Sequence, residues 1–253
     1  MSKSNLTEET REHYQNLIGE VGKKYFKDRW MSNPVAKAHY SQTVKAIRHV
    51  FTDLPASLRV LEIGSGPGTW TDLCLEKASS MKVFDISDEF LKVMREKYKD
   101  EVRMKAYVQG DFAEDSANLQ GDSFDLIFSG RALEYMTDKS RVVSNCFDHL
   151  NNGGQLVIIT KNPMWRDKLS SSETTGIHRA QIYWKDLESI FREQGFVNIK
   201  VYPAAMGSYL APLNNKLGIW LSNFVFQLKY GKPMTKRVDS LSESYLISAR
   251  KPK

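Results

Sequence analysis

Three glycines and a series of acidic residues carry most of the chemical information in this sequence. The mostly apolar run 60–63 contains Glu62 and leads directly into Gly64, Gly66 and Gly68. Such a run is typical of a buried parallel strand, and glycines after it allow a tight turn and the close approach of a ligand. The spacing Gly-x-Gly-x-Gly differs from the Gly-x-Gly-x-x-Gly that binds pyrophosphate and from the Gly-Lys-Ser/Thr of a phosphate loop. We therefore expect a nucleotide-type ligand without a phosphate.

Two further acids follow apolar runs at positions that suit a ribose and a base. Asp85 ends the run 81–84, and a carboxylate about 20 residues after such a turn can accept hydrogen bonds from both ribose hydroxyls. Asp111 and Phe112 follow the run 102–108 and offer an acid and an aromatic ring to an adenine. The alternative for each acid is a helix cap or a solvated loop residue. The order of these residues favours an adenosine-binding pocket.

This ordered series resembles that of the class I S-adenosylmethionine-dependent methyltransferases. The resemblance covers about residues 60–196 and continues in the last predicted strand, so it includes most of the chain. It implies S-adenosylmethionine as the cofactor. The resemblance also implies a role for each residue. Glu62 and the turn of Gly64, Gly66 and Gly68 face the amino acid portion of the cofactor, and Ser129 lies on the methionine side. Asp85 holds the ribose, and the adenine site is formed by Ile86, Asp111 and Phe112.

The alternation of apolar and helical segments predicts an α/β fold. A Rossmann-like, doubly wound, mostly parallel sheet with helices on both faces is expected, preceded by a helical cap. The resemblance adds a seventh, antiparallel strand at about 243–249. Strands are predicted at 59–63, 81–85, 102–108, 124–128, 155–160 and 197–202, and helices at 7–28, 33–51, 68–78, 87–98, 137–150 and 184–194.

We expect one domain over residues 1–253, because the chain is long enough to bury a substantial core. Within it the sequence predicts an N-terminal helical cap (1–55), a cofactor-binding core (56–202), a lid insertion (203–242) and a last strand with its tail (243–253).

Composition indicates a cytoplasmic enzyme. The chain is 41% hydrophobic and 26% charged, and no segment reaches the ~20 apolar residues of a membrane span. Residues 1–9 lack the apolar core of a signal peptide. Cys74 and Cys146 have neither metal-type spacing nor the number needed for a disulfide framework, so no metal site is expected.

The net charge of +6 is spread along the chain, so we expect no nucleic acid partner. A basic cluster, Lys229, Lys232, Lys236 and Arg237, borders an apolar segment at 217–228. One interpretation is an interfacial helix that contacts anionic lipid at the inner membrane face, or that receives a lipid-linked acceptor. The other is a cap helix that packs on the sheet or on a second copy, and the sequence does not predict the oligomeric state.

The residues after the fourth predicted strand exclude several acceptors. The sequence 129–135 has no Pro-Pro-aromatic motif of enzymes that methylate exocyclic or amide nitrogens, and no Pro-Cys pair that attacks a pyrimidine. Arginine methylation would require a pair of acids here, and only Glu134 is present. Methylation of nucleobases and of arginine is therefore disfavoured.

The segment 176–187, followed by Gly195-Phe196, resembles the acceptor-side segment of ubiquinone-biosynthetic O-methyltransferases. A histidine there faces the acceptor, so the resemblance suggests His178 as a general base; the alternative is a structural histidine in a long loop. Arg131, Tyr135 and Arg179 are candidate substrate residues at the same rim. The N-terminal aromatics either close over the ligands or pack in the core: Tyr14, Tyr25, Trp30 and Tyr40.

These observations predict S-adenosylmethionine-dependent methyl transfer to an oxygen of a small or medium acceptor. The acceptor is a phenol or quinone precursor, or a sugar hydroxyl or carboxylate, with a lipid carrier left open. Methylation of a small amine and a non-catalytic cofactor-binding partner protein remain as alternatives. A nicotinamide-dependent reductase is disfavoured by the glycine spacing.

Overall fold

A seven-stranded sheet with the order β3-β2-β1-β4-β5-β7-β6 forms the centre of the protein. The computed structural model describes residues 6, 8–14, 24–119, 121–165, 180–207 and 215–253. The strands are β1 (Leu58–Ile63), β2 (Ala78–Asp85), β3 (Met104–Gln109), β4 (Phe124–Gly130), β5 (Leu150–Lys161), β6 (Val197–Met206) and β7 (Ser242–Arg250).

The pairing of the strands confirms the predicted Rossmann-like sheet. Strand β1 pairs in parallel with β2 and β4, and the parallel ladder continues to β3 on one side and β5 on the other. Strand β7 is antiparallel to both β5 and β6, between which it lies. Parallel strands end at the same edge of the sheet, so the turns after β1, β2, β3 and β4 come together there.

The first strand is buried on both faces, which explains its continuous apolar run. Val60 faces one hydrophobic cluster, whereas Leu61 and Ile63 face the other, and none of the three is more than 1% exposed. Successive side chains of a strand point to opposite faces, so a strand with helices on both sides needs apolar residues at every position. Glu62 is the buried polar exception in β1, whereas Arg59 near the start of the strand is exposed; the environment of Glu62 is described below.

Helices cover the two faces of the sheet. They are α1 (Tyr25–Trp30), α2 (Pro34–Phe51), α3 (Thr71–Leu75), α4 (Asp88–Lys97), α5 (Phe112–Asp115), α6 (Lys139–His149), α7 (Trp184–Glu193) and α8 (Asn215–Lys229). Residues 8–14 are also helical. The predicted start of α2 is confirmed, because the Asn33 Oδ1 accepts a hydrogen bond from the Ala36 N–H at 2.9 Å and Pro34 is the first helical residue. Thr7, the predicted cap of the first helix, lies outside the described residues.

Several boundaries differ from the prediction. The helix expected over 68–78 is only the short α3, because residues 78–80 already pair with the beginning of β1. The strand expected over 155–160 begins earlier, because β5 starts at Leu150 and includes the segment where the register to β4 shifts and Gly153 adopts a φ of +79°. Both segments are irregular, and the pairing of neighbouring strands decides their structure.

Helix α8 packs on the outer side of α2 and on the end of β6. The Ser222 Oγ donates to the Met206 carbonyl at 2.8 Å, and the Gln42 Nε2 donates to the Asn223 Oδ1 at 2.9 Å. Strand β6 continues to Met206, so the first residues of the predicted lid belong to the sheet. None of the described helices is long and apolar enough to cross a membrane.

Candidate functional site

A cavity of about 960 Å³, open to solvent, lies at the carboxyl ends of β1, β2, β3 and β4. The turns after the four strands form its floor, and residues of the N-terminal helical segments form the opposite wall. The sequence prediction concerned chiefly the floor.

The glycine turn after β1 allows the chain to reverse under the cavity. Gly64 has a φ of +67°, and its N–H donates to the Phe84 carbonyl at 2.7 Å. A Cβ at Gly64 would lie 2.2 Å from the Ala132 Cβ, so only glycine fits between these two turns. Gly66 also lines the cavity, with no atom within 4 Å of the position of a Cβ, which leaves its backbone accessible to a ligand. Gly68 packs against α4 and is not among the lining residues.

Asp85 ends β2 and lines the cavity beside this turn. Its Oδ2 accepts from the Gly66 N–H at 2.8 Å and its Oδ1 from the Ser87 N–H at 2.9 Å, so the carboxylate has a fixed orientation. Each oxygen has a second lone pair available to a ligand. Burial raises the pKa of Asp85 to about 6, although these backbone N–H groups oppose the increase. The residue is therefore a buried acceptor that loses its charge in mild acid.

The turns after β2 and β3 bring together three predicted adenine-site residues. Asp111 lines the cavity and also caps α5, because its Oδ1 accepts from the Ala113 N–H at 2.9 Å. The ring of Phe112 lines the cavity, is 1% exposed and lies edge-on to Phe84 at 5.3 Å. Ile86 lines the cavity next to Asp85. The helix-cap interpretation and the cavity position therefore both hold for Asp111.

Two predicted residues, Glu62 and Ser129, lie beneath the floor rather than on it. Glu62 is fully buried, and its Oε2 accepts from the Thr71 Oγ at 2.6 Å. Burial raises the pKa of Glu62 to about 8. The other Glu62 oxygen and the Ser129 hydroxyl are buried without a hydrogen-bond partner among the described residues.

Two further hydroxyls on the cavity wall share this condition. Those of Ser65 and Thr10 are buried and have no hydrogen-bond partner among the residues that the structure describes. Buried polar groups in native proteins nearly always have a partner. Unsatisfied groups at Glu62, Ser65, Ser129 and Thr10 therefore suit a site that a polar ligand or water completes.

Arg131 follows β4 and carries the buried charge of the site. Its Nε donates to the Glu134 Oε1 at 3.0 Å, and its guanidinium lies 3.3 Å from the Glu243 Oε2. Burial alone would lower the pKa of Arg131, but Glu243 and Glu134 raise it above its ordinary value. Burial would raise the pKa of Glu243, but Arg131 lowers it to about 2. This triad lines the cavity through Arg131 and Glu134.

The wall opposite the floor is aromatic. Tyr14 contacts Tyr135 edge-on at 5.6 Å and Phe90 at 5.5 Å, and Tyr25 contacts the same Phe90 at 5.4 Å. All four rings and that of Trp30 line the cavity. The sequence left open whether the N-terminal aromatics close over the ligands or pack in the core. Tyr14, Tyr25 and Trp30 line the cavity, whereas Tyr40 does not and stacks on Trp70 at 5.3 Å.

Sequence analysis missed Arg29 and Phe90, which also line the cavity. The Arg29 guanidinium lies 4.8 Å from the ring centre of Trp30, so its charge is held at the mouth by a cation–π contact. A cation next to a tryptophan in the predicted helical cap was the available signal. Phe90 is the third residue after the Ser87 cap of α4 and carried no such signal.

Two residues predicted for the acceptor, His178 and Arg179, lie outside the described residues. Among the residues that the structure describes, no group of three or more His, Cys, Asp or Glu side chains could hold a metal ion.

Comparisons with known proteins agree with this architecture. Residues 61–156 match a family model described as a methyltransferase domain. A ubiquinone biosynthesis O-methyltransferase of Xanthomonas axonopodis pv. citri (strain 306) is 30% identical over 109 residues, which are 43% of this chain and 45% of that protein. The chain thus spans about half the length of the curated relatives it matches.

Solved structures show the same fold at low identity. A SAM-dependent methyltransferase from Archaeoglobus fulgidus has a TM-score of 0.64 and 18% identity, and the match covers 91% of this chain and all of that one. Phosphoethanolamine N-methyltransferase 2 of Haemonchus contortus, in complex with S-adenosyl-L-methionine, has a TM-score of 0.60 and 18% identity over 90% of this chain and 59% of that one. These matches confirm the predicted fold.

Proposed function

We propose that this chain, which carries a methyltransferase domain of the class I S-adenosylmethionine-dependent type, transfers a methyl group from S-adenosylmethionine to an oxygen of a small or medium acceptor. The observation that carries the proposal is the Asp85 carboxylate, held at the end of β2 beside the open backbone of Gly66. A nucleoside without a phosphate requires an oriented carboxylate that accepts hydrogen bonds from its ribose hydroxyls, next to a turn whose glycines allow close approach.

The residues of the floor fit this cofactor. Asp85 would accept the ribose hydroxyls, and Asp111 with the ring of Phe112 would hold the adenine. The buried oxygen of Glu62 and the hydroxyl of Ser65 would complete the amino acid end, directly or through water, because both need partners. When bound, S-adenosylmethionine supplies a methyl group on a sulfonium, which is already activated for transfer.

The residues of the opposite wall would bind and orient the acceptor. Methyl transfer needs alignment of the acceptor atom, exclusion of water and removal of a proton. The rings of Tyr14, Tyr25 and Trp30 offer an apolar, largely dry surface to a flat or ring-shaped acceptor. A phenol or quinone precursor suits this wall, and so does a sugar hydroxyl or carboxylate, including one on a lipid carrier.

The charges at this wall favour oxygen over amine nitrogen. Arg29 and Arg131 both line the cavity, and Arg131 is buried. Glu134 and Glu243 already neutralise Arg131, whereas Arg29 forms no ion pair with a described carboxylate. The charge of Arg29 therefore increases the cost of binding a protonated amine and favours an acceptor that carries or develops negative charge. Glu134, the acid at this end, already pairs with Arg131. Methylation of a small amine therefore remains the less favoured alternative.

His178 is our candidate for the base that removes the acceptor proton. Its support is the sequence pattern of the segment 176–187, since the residue lies outside the described part of the chain. With an ordinary pKa near 6.5, a histidine can accept a proton from a hydroxyl at neutral pH.

The cofactor half is tested by calorimetric titration with S-adenosylmethionine and with S-adenosylhomocysteine. We expect micromolar binding by the parent protein and a loss of at least tenfold in Asp85→Ala. Asp100→Ala, an exposed acid away from the cavity, serves as the matched control and should bind as the parent does. Absence of binding by the parent would reject the proposal.

The acceptor half is tested with cofactor that carries a labelled methyl group. Phenols, sugar hydroxyls, carboxylates and small amines are compared as acceptors, and product is expected with an oxygen acceptor. His178→Gln should reduce turnover and remove the ionisation near neutral pH from the rate profile, whereas His49→Gln should change neither. Turnover of amines alone would favour N-methylation, and tight binding without any turnover would favour a non-catalytic role.

A further inference from the structure

Helix α8 packs on the protein through its small and polar residues. Gly218 and Ser222 are buried, and Ser222 accepts a hydrogen bond from Gln42 of α2 at 3.2 Å while donating to the Met206 carbonyl. Phe226 is the one large side chain on this buried face. Small residues allow close approach of the helix to α2, and the polar contacts fix its rotation about its own axis. The orientation of its other face is therefore determined.

That other face is apolar and exposed. Its side chains recur at spacings of three and four, which places them on a single stripe along the helix. The rings of Trp220 and Phe224 stack in parallel at 5.5 Å with an angle of 9°. Soluble helices usually turn such a stripe to the core, so the orientation of α8 is inverted. The exposed fractions are 48% for Leu217, 61% for Trp220, 37% for Leu221, 49% for Phe224 and 50% for Leu228.

The surroundings of this stripe are uniformly basic. Residues 203–238 contain five basic residues and no Asp or Glu. No described carboxylate forms an ion pair with any of the five, and none of their side chains is buried. The basic residues are Lys216, Lys229, Lys232, Lys236 and Arg237.

We propose that the stripe of α8, with these five basic residues, docks the protein on the surface of an anionic lipid bilayer. An apolar stripe with basic borders matches the two layers of such a surface, because acyl chains accept the apolar side chains and anionic headgroups accept the cations. An interfacial helix of this kind inserts to a depth of ~5–10 Å, which suits side chains such as Trp220 and Phe224.

A second copy of the chain fits this surface less well. In a twofold dimer the same patch meets itself, so the five basic residues of one copy would approach the five of the other without any intervening acid. Like charges across an interface oppose association. Charge complementarity therefore selects an anionic partner, and the apolar stripe selects one with an accessible hydrocarbon layer.

The test is sedimentation of the full chain with vesicles. Vesicles of phosphatidylcholine with about one third phosphatidylglycerol are compared with vesicles of phosphatidylcholine alone, at several salt concentrations. We expect binding to the anionic vesicles, weaker binding as salt rises, and a blue shift of tryptophan emission that Trp220→Phe reduces.

Three variants separate the parts of the surface. The pair Trp220→Ser and Phe224→Ser should weaken binding at least tenfold, and so should the pair Lys232→Glu and Lys236→Glu, since each basic residue contributes roughly fivefold. Val102→Ser replaces an even more exposed apolar residue elsewhere and should bind as the parent does. Circular dichroism verifies that each variant is folded.

Several results would overturn the proposal. Absence of binding by the parent would end it. Unchanged binding by the Trp220 and Phe224 variant would show that the net charge of +6 alone causes adsorption. Light scattering that detects a dimer in the parent and a monomer in the same variant would assign the stripe to a second copy instead. None of these results depends on the proposed methyl transfer.

Discussion

Replacement of Glu62 by glutamine is expected to stabilise the protein at neutral and alkaline pH. Glu62 is fully buried beneath the glycine turn, and its Oε2 accepts a hydrogen bond from Thr71. Burial raises its pKa from the ordinary 4.5 to about 8, and the charge of Asp85 adds to the increase, while the Thr71 bond opposes it. Glutamine keeps the shape and an oxygen acceptor for Thr71 but has no charge to bury.

The sign and size of the effect follow from linkage. Between pH 4.5 and 8 the folded protein holds a proton on Glu62 that the unfolded chain has released, so the free energy of unfolding falls as pH rises. Each pH unit in this window costs about 1.4 kcal/mol. From pH 5 to pH 7 the parent should therefore lose about 3 kcal/mol relative to Glu62→Gln, and little further loss is expected above pH 8.

Urea unfolding at pH 5, 6, 7 and 8 measures this difference directly. Because both proteins share all other titrating groups, the difference between their free energies of unfolding isolates Glu62. The exposed, uncharged Gln227→Asn provides the control, and its difference from the parent should stay constant with pH because no ionisable group changes. A constant difference for Glu62→Gln as well, or one that reverses sign, would refute the reasoning from burial.

Gly64→Ala should lower the free energy of unfolding by about 2–4 kcal/mol in thermal or urea unfolding, because the new Cβ would overlap that of Ala132 and the φ of residue 64 is +67°. Adding Ala132→Gly to this variant should restore part of the lost stability, and a double variant as unstable as Gly64→Ala would contradict the steric cause. Affinity for S-adenosylhomocysteine should fall about tenfold between pH 7 and pH 5 in calorimetry, because Asp85, with a pKa of about 6, becomes protonated and loses acceptor capacity. Asp85→Asn should bind weakly and without this pH dependence. If the variant showed the same pH dependence as the parent, Asp85 would not be its cause. Arg131→Met should lower the free energy of unfolding by about 3–5 kcal/mol in urea unfolding, since it leaves the buried carboxylates of Glu134 and Glu243 without their cation. A change below about 1 kcal/mol would show that these ion pairs do not stabilise the fold.

The sheet and the floor of the cavity could be predicted because their signals are local. The run 60–63 is apolar at nearly every position because β1 is buried on both faces. Gly64 and Asp85 each directly follow or end such a run, so their positions at the edge of the sheet follow from the strand assignments alone. The cofactor side of the cavity therefore has a local sequence signature.

Most contacts of the proposed acceptor side could not be predicted, because distant segments form them. Arg131 and Glu243 are 112 residues apart in the sequence, and Gln42 is 180 residues from Ser222. No periodicity within one segment reports such contacts. The apolar stripe of α8 was visible in the sequence, but its outward direction depends on the close approach of Gly218 and Ser222 to α2 and β6, which only tertiary structure determines.

The two halves of the cavity have largely separate structural origins, which affects how the protein could change. The floor consists of strand ends, where substitution at a position such as Gly64 disturbs the sheet itself. Tyr14, Tyr25 and Arg29 come from helical segments that precede the first strand. Changes there can reshape the acceptor wall while the ladder from β1 to β7 keeps its register. The N-terminal segment is accordingly the part of the chain in which acceptor preference could diverge, or be redesigned, at the least cost to folding and to the cofactor half of the cavity.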